Sequence, residues 1–116
     1  MYTLLIVDDE EIEREGMAQF IPWDSYEIKV VSTARNGAEG LEKIAKFRPD
    51  LAIVDIKMPV MNGIEMIRQA KEQYPDMTFV VLSGYGDYEF TSQAMELGVR
   101  TVYQDLALDN CKNSVE

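Results

Sequence analysis

Three short runs of apolar residues are separated by helical patterns, and this alternation constrains the fold more than any other feature of the sequence. The runs occupy residues 4–7 (LLIV), 51–54 (LAIV) and 79–82 (FVVL), and none of them alternates polar with apolar residues. Such runs are typical of strands that are buried on both faces, as in a parallel sheet covered by helices. A fourth segment, residues 28–32, is also strand-like but more polar, which places it nearer an edge of the sheet.

Between the strands, apolar residues recur at helical spacing and polar residues mark the helix starts. Ile12, Gly16 and Phe20 recur at intervals of four and form the apolar stripe of a first predicted helix. Asn36 and Asn62 are each followed three residues later by glutamate, which predicts the N-caps of two further helices. The apolar stripes of the second, third and fourth predicted helices are Ala38, Leu41, Ile44 and Ala45; Ile64, Ile67, Ala70 and Tyr74; and Phe90, Ala94 and Leu97.

Strands and helices therefore alternate along the chain, and residues 101–103 add a short fifth strand. This order implies right-handed crossovers and a doubly wound α/β fold with helices on both faces of the sheet. A length of 116 residues is ordinary for one domain, so residues 1–116 are predicted to form a single unit. Residues 106–116 are too few and too polar for a strong fifth helix, which we expect to be short or missing.

The charge balance restricts the partners of this chain. Its 21 acidic and 11 basic residues give a net charge of −10. Such a surface repels phosphate backbones, so the chain alone is not expected to bind nucleic acid. There is no histidine, which excludes histidine-based catalysis and histidine metal sites.

Cysteine usage and hydropathy indicate the compartment. Cys111 is the single cysteine, so an internal disulfide is excluded and a reducing, cytoplasmic location is expected. No apolar run approaches the ~18 residues of a membrane span, so no membrane association is expected. The sequence enters an apolar run directly after Met1, without a basic leader, so a signal peptide is not expected.

Polar side chains follow the three apolar runs. Asp8 and Asp9 come after the first, Asp55 after the second and Ser83 after the third. Because the carboxyl ends of parallel strands meet at one edge of the sheet, these residues are expected to converge. Crowded carboxylates favour a cation, and Mg²⁺ prefers oxygen ligands of this kind. A carboxylate beside bound Mg²⁺ can act as a nucleophile toward a phosphoryl group.

Simpler interpretations of the same residues stay open. Asp9 stands where an N-cap of the first helix belongs, and Ser83 is equally compatible with an ordinary loop residue. Other phosphate chemistries fit less well, because an acidic loop after the first strand disfavours a flavin phosphate and no P-loop motif is present. The D-x-D motif of haloacid-dehalogenase-like phosphatases is interrupted by Lys57.

The residues around these carboxylates resemble the receiver domains of two-component response regulators. The similarity rests on residues 4–10 (LLIVDDE), 51–63 (LAIVDIKMPVMNG) and 80–85 (VVLSGY), and runs continuously over residues 1–99. Residues 21–26 (IPWDSY) are similar to receivers fused to AraC-type DNA-binding domains. The resemblance implies a flavodoxin-like, CheY-like fold of five parallel strands in the order 2-1-3-4-5.

The resemblance also implies roles for individual residues. Asp55 would be the phosphoacceptor and Ser83 the switch residue that bonds a phosphoryl oxygen. Asp8, Asp9 and Asp55 would hold Mg²⁺, together with the backbone carbonyl of Lys57. The implied phosphodonor is a sensor histidine kinase, and DNA would be bound only through a C-terminal domain that this sequence lacks.

Residues 100–116 depart from the family pattern. Asp105 and Leu106 stand where the family has lysine and proline. The resemblance therefore implies that a fourth carboxylate would stand in place of the cation that contacts the phosphoryl group in the family. Two explanations stay open, a natural degenerate receiver or an altered or truncated end. Dimerisation or exchange of the terminal segment is a hypothesis for covering the sheet face that a shortened fifth helix leaves.

The resemblance therefore implies a phosphoacceptor that switches a transcription-regulating output domain. It is not expected to be an enzyme beyond self-phosphorylation from small donors and autodephosphorylation. The alternative is a degenerate pseudo-receiver, an interaction module that keeps the fold and does not switch. An independent phosphatase is the third and weakest possibility.

Overall fold

The protein is built from strands and helices that alternate along the chain. The computed structural model describes residues 1–55, 61–83 and 100–103, with Ser83 and the last four residues described by their backbone alone. The elements are β1 (Tyr2–Val7), α1 (Glu11–Phe20), a 3-10 helix (Trp23–Tyr26), β2 (Ile28–Ala34), α2 (Gly37–Phe47), β3 (Leu51–Asp55), α3 (Gly63–Gln73), β4 (Thr78–Ser83) and β5 (Arg100–Tyr103).

The strands form one parallel sheet in the order β2-β1-β3-β4-β5. The predicted parallel α/β fold and its strand order are therefore confirmed, and the more polar β2 lies at an edge as expected. The predicted fourth helix and the short or missing fifth helix fall on residues outside those that the structure describes. The short fifth strand is present and begins at Arg100, one residue before its predicted start.

The central strands are buried on both faces, as their continuous apolar sequences predict. In β1, Leu5 and Val7 belong to one core, whereas Leu4 and Ile6 belong to the other. All four side chains have no exposed surface. Because successive side chains of a strand point to opposite faces, each strand contributes to both cores.

Helices cover the two faces of the sheet unequally in the described part of the chain. The core with Leu5 is closed by Ile44 of α2 and by Ile64 and Ile67 of α3. The core with Leu4 is closed by α1 and the 3-10 helix. These helices have at most 11 residues, and no described helix is long and apolar enough to span a bilayer.

The buried face of α1 differs from the expected one. Ile12 and Phe20, the ends of the predicted apolar stripe, are 90% and 83% exposed. The residue that α1 buries is Met17, whose carbonyl accepts a 2.8 Å hydrogen bond from Nε1 of the buried Trp23. The helix itself is predicted correctly, but the predicted apolar stripe faces outward. Met17, on another face of α1, is the side chain that packs into the core.

The predicted caps of α2 and α3 are confirmed. The side chain of Asn36 accepts a 2.8 Å hydrogen bond from the backbone N–H of Glu39. The side chain of Asn62 accepts a 2.9 Å bond from the backbone N–H of Glu65. Each bond satisfies one of the N–H groups that a helix start leaves without an intrahelical partner.

Replacing Asn36 with alanine is expected to lower the free energy of unfolding by about 1 kcal/mol, because the N–H of Glu39 loses its acceptor. Urea unfolding measures this change, and the fluorescence of the single tryptophan, Trp23, reports it from the buried core. Asn36→Asp keeps a side-chain oxygen at the cap and should retain most of the stability. An alanine variant as stable as the parent would contradict this role of the cap.

Candidate functional site

Three aspartates meet at the carboxyl edge of the sheet. β1 and β3 are neighbours in the sheet, with Val7 opposite Val54, so the residues that follow emerge side by side. Asp8 follows β1 directly, Asp9 comes next, and Asp55 is the last residue of β3. One carboxylate oxygen from each aspartate lies within 4.8 Å of the others. The predicted convergence of these three residues is therefore present.

Asp8 is fully buried, and its two carboxylate oxygens have different surroundings. Its backbone N–H donates to the carbonyl of Ala34 at 3.0 Å, which continues the β1–β2 pairing. Oδ1 accepts a 2.9 Å bond from the backbone N–H of Glu10. Oδ2 is buried and has no hydrogen-bond partner among the residues that the structure describes. A buried oxygen of this kind is costly unless a ligand satisfies it.

The environment of Asp8 favours its protonated form. The pKa of its carboxyl group is raised from 3.8 to about 8, mainly by burial, and the N–H of Glu10 opposes this shift. Repulsion from the nearby carboxylates of Glu13 and Asp55 contributes to the rise. Loss of hydration and repulsion between like charges therefore act in the same direction. A cation would reverse both effects, because it replaces the lost hydration and neutralises the neighbouring charges.

Two residues of α1 also belong to this site and are not among the site residues predicted from the sequence. Glu13 is half-buried and close enough to Asp8 to affect its ionisation. Arg14 donates from Nη1 to the backbone carbonyl of Asp8 at 3.0 Å, and its side chain is 14% exposed. The signal for Glu13 in the sequence is its position, since it lies in the first turn of the helix that follows Asp8 and Asp9.

Asp9 is not the cap of α1. Glu10 occupies the N-cap position, where no side chain makes a capping hydrogen bond. The N–H of Glu10 is satisfied instead by Asp8, which precedes it by two residues. Asp9 is exposed beside the buried pair. The simpler interpretation of Asp9 as a helix cap is therefore not supported.

The other predicted site residues are placed only in part. Ser83 is the last residue of β4, the strand next to β3, where Asp55 pairs with Leu82. Its backbone thus ends at the same edge of the sheet as Asp55. Lys57 and Asp105 lie outside the described residues.

The donor set fits a hard divalent cation. All the side-chain donors are carboxylate oxygens, which are the ligands that Mg²⁺ takes in proteins. Oδ2 of Asp8, which has no partner among the described residues, is a buried oxygen that a cation could satisfy, whereas Asp9 is exposed. Such an arrangement can present a carboxylate to a phosphoryl group and neutralise the charge of that group.

The sequence matches the response regulator receiver domain family over residues 4–104. Among curated proteins, it is 42% identical over 100 residues to an uncharacterized transcriptional regulatory protein, YesN of Bacillus subtilis, covering 86% of this chain and 27% of that protein. It is 36% identical over 96 residues to the transcriptional regulatory protein HptR of Staphylococcus aureus, covering 83% of this chain and 37% of that protein. The chain thus spans about a third of the length of these relatives.

Solved structures share both the fold and part of the sequence. The REC domain of AraT, a response regulator from Geobacillus stearothermophilus, superposes with a TM-score of 0.86 at 31% identity, covering 98% of this chain and 92% of the other. A two-component transcriptional regulator AraC from Clostridium phytofermentans superposes with a TM-score of 0.84 at 29% identity, covering 99% and 93%. With the aspartates gathered at the family's characteristic edge of the sheet, the chain belongs to the response regulator receiver domains.

Proposed function

We propose that Asp55 accepts a phosphoryl group from a sensor histidine kinase, and that this event controls a transcription-regulating part of a longer protein. The observation that supports this proposal is the convergence of Asp8, Asp9 and Asp55, together with a buried oxygen of Asp8 that has no hydrogen-bond partner among the described residues. The names of the relatives support the regulatory output, since YesN and HptR are described as transcriptional regulatory proteins.

Asp8, Asp9 and Asp55 would hold Mg²⁺, with the carbonyl of Lys57 as a further ligand. When bound, the ion would neutralise the carboxylates and coordinate a phosphoryl oxygen. An oxygen of Asp55 attacks the phosphorus, the P–N bond to the donor histidine breaks, and the histidine nitrogen keeps the electron pair. The product is an aspartyl phosphate on Asp55. Asp55 suits this role because it is the site's second buried aspartate, 6% exposed at the end of a central strand.

The proposed switch begins at β4. Ser83 ends this strand beside β3, and its hydroxyl would bond a phosphoryl oxygen on Asp55. That bond would favour one arrangement of the following loop and so shift an existing equilibrium. In this proposal the chain acts in the cytoplasm as a signalling acceptor. It turns over no separate substrate beyond its own phosphorylation and dephosphorylation.

Asp105 motivates the alternative, a pseudo-receiver that keeps the fold and does not switch. A carboxylate at the position of the family's lysine removes a charge-assisted contact to the phosphoryl group, worth about 1.5–3 kcal/mol. The two functions differ in one measurable respect. A phosphoacceptor forms an adduct on Asp55, and a pseudo-receiver does not.

Incubation with Mg²⁺ and acetyl phosphate is expected to add one phosphoryl group to the protein, detected by intact mass. Asp55→Asn should acquire none, because its amide cannot act as the nucleophile. Chelation of the metal should also prevent the adduct. Asp76→Asn is the matched control, since it removes one carboxylate from an exposed position outside the cluster and should be labelled like the parent.

Each other outcome identifies a different function. Absence of an adduct in both the parent and Asp55→Asn would favour the pseudo-receiver. An equal adduct in both would move the acceptor away from Asp55. Hydrolysis of unrelated phosphoesters would indicate an independent phosphatase, which neither of the other functions predicts.

A further inference from the structure

A positive charge lies beside the cluster of carboxylates. The side chain of Arg14 is 14% exposed, and its Nη1 donates a 3.0 Å hydrogen bond to the backbone carbonyl of Asp8. Its ion pair with Glu15 is long, 3.9 Å, and Glu15 lies outside the cluster. Withdrawing a guanidinium group from water is costly, and a positive charge at this place opposes the binding of a metal ion. Charge alone therefore does not explain why an arginine stands here.

The position of Arg14 in α1 adds a further cost. The helix begins at Glu11, so Arg14 lies in its first turn, where the helix dipole disfavours a cation. The acidic residues of this turn, Glu11 and Glu13, have the charge that the dipole favours. An uncharged side chain would avoid these costs. The contribution of Arg14 to the site is therefore its hydrogen bond to Asp8.

Three hydrogen bonds hold Asp8 within the described part of the chain. Its backbone N–H donates to the carbonyl of Ala34 at 3.0 Å, and its Oδ1 accepts from the backbone N–H of Glu10 at 2.9 Å. Arg14 supplies the third bond, to the backbone carbonyl. This third bond ties the side chain of a residue inside α1 to the chain just after β1.

The bond from Arg14 acts on the peptide group between two aspartates of the cluster. The carbonyl of Asp8 and the N–H of Asp9 belong to one planar unit, so a bond that fixes this carbonyl also restricts the direction in which the chain carries Asp9. Asp8 is buried and Asp9 is exposed, yet an oxygen of each lies within 4.8 Å of an oxygen of Asp55. Neighbouring side chains at different depths can reach one ion only if the peptide group that joins them has a defined orientation.

We propose that Arg14 is a positioning residue for the metal ion and acts through the backbone between two of the proposed ligands. The bond from Nη1 holds the peptide group of Asp8 and Asp9 in the orientation in which both carboxylates can reach one ion. Partners that orient metal ligands commonly contribute tenfold or more to metal affinity. The inference rests on the proposed function and deepens it, because it gives α1 a part in binding the ion.

Arg14→Met is expected to weaken magnesium binding by about tenfold, because methionine has no group that donates to the carbonyl of Asp8. Calorimetric titration measures the affinity, and the direction of the change is decisive. A residue that acted by charge alone would oppose the ion, so its removal would strengthen binding. Arg68→Met is the matched control, since Arg68 has the same charge but lies on α3 and pairs with Glu65 at 2.8 Å. Its magnesium affinity should stay within about twofold of the parent.

Labelling by acetyl phosphate separates positioning from a general loss of structure. Arg14→Met should need about tenfold more Mg²⁺ for half-maximal labelling. Its rate at saturating Mg²⁺ should stay within about twofold of the parent, because the acceptor Asp55 lies on β3. A variant that merely folds less well would lose maximal labelling and keep the Mg²⁺ midpoint of the parent. Fluorescence of the buried Trp23 confirms that the variants are folded.

Arg14→Lys tests the hydrogen bond itself, since lysine keeps the charge and a group that can donate. Its magnesium affinity should lie within about threefold of the parent. Equal weakening in Arg14→Lys and Arg14→Met would overturn the role of the bond. An affinity of Arg14→Met equal to or above that of the parent would also overturn it.

The amide resonance of Asp9 provides a readout that needs no metal. It should move in metal-free Arg14→Met, because this N–H shares a peptide group with the carbonyl that loses its donor. An unmoved resonance would show that the bond does not hold this peptide group. A parent that binds magnesium but is not labelled on Asp55 would contradict the proposed function alone, whereas the titrations would still test Arg14. A parent that binds no magnesium would overturn both.

Discussion

Replacement of Asp8 by asparagine is expected to raise the free energy of unfolding of the metal-free protein at pH 7 by about 1–4 kcal/mol. In the folded protein the pKa of the Asp8 carboxyl is about 8, whereas the ordinary value for this group is 3.8. At pH 7 the unfolded chain releases this proton freely, whereas the folded chain opposes its release. Asparagine has a similar shape and no proton to release, so this cost of folding disappears.

The raised pKa of Asp8 also determines the direction in which the stability of the protein changes with pH. Because the pKa of Asp8 is raised in the folded state, its contribution to stability is fully present below pH 3.8. It is lost progressively as the pH rises toward about 8. Metal-free parent protein should therefore lose stability across this range relative to Asp8→Asn. Urea unfolding at several pH values, followed by Trp23 fluorescence, measures the difference.

Magnesium should make the parent more stable than Asp8→Asn, which reverses their order in the absence of metal. The parent gains stability from any ligand that binds the folded state alone, whereas Asp8→Asn loses a buried ligand oxygen and should gain much less. Asp24→Asn is the control, because it removes the same charge from an exposed position outside the cluster. Its unfolding free energy should stay within about 0.5 kcal/mol of the parent. If Asp8→Asn were less stable than the parent in the absence of metal, the Asp8 carboxyl would not destabilise the folded state as proposed.

The sheet could be predicted from sequence because its signal is local. Residues 4–7, 51–54 and 79–82 are continuous apolar runs, and a strand buried on both faces requires such a run. In the structure these runs become β1, β3 and β4, each extended by one or two residues. Convergence of Asp8, Asp9 and Asp55 then follows from parallel strand order, since residues after neighbouring parallel strands emerge at one edge.

The orientation of α1 and the burial within the site could not be predicted in the same way. The apolar residues of α1 occupy two faces, one with Ile12 and Phe20 and one with Met17, and periodicity does not state which face meets the sheet. Likewise, the adjacent Asp8 and Asp9 look equivalent in sequence. Only the path of the chain after β1 buries Asp8 and exposes Asp9. Tertiary packing, which a single sequence does not encode locally, decides both questions.

Magnesium affinity is expected to rise by about 50-fold between pH 6 and pH 8. Asp8 must lose its proton before its buried oxygen can bind a cation, and below its pKa of about 8 each pH unit lowers the charged fraction about tenfold. Calorimetric titration at several pH values measures the affinity. Repeating the titration in buffers of different ionisation enthalpy counts the protons released, which should approach one per ion near pH 6.

Glu13→Gln provides the test that assigns this dependence to Asp8. The carboxylate of Glu13 raises the pKa of Asp8, so its neutral isostere should lower that pKa and shift the rise in magnesium affinity toward lower pH. If the dependence came instead from the chain's general negative charge of −10, Asp24→Asn would cause the same shift as Glu13→Gln. An affinity that stays flat from pH 6 to pH 8 would show that Asp8 is already ionised before the metal binds. Burial of Asp8 and repulsion from its neighbouring carboxylates would then not control magnesium affinity, because ionisation of the Asp8 carboxyl would not lower it.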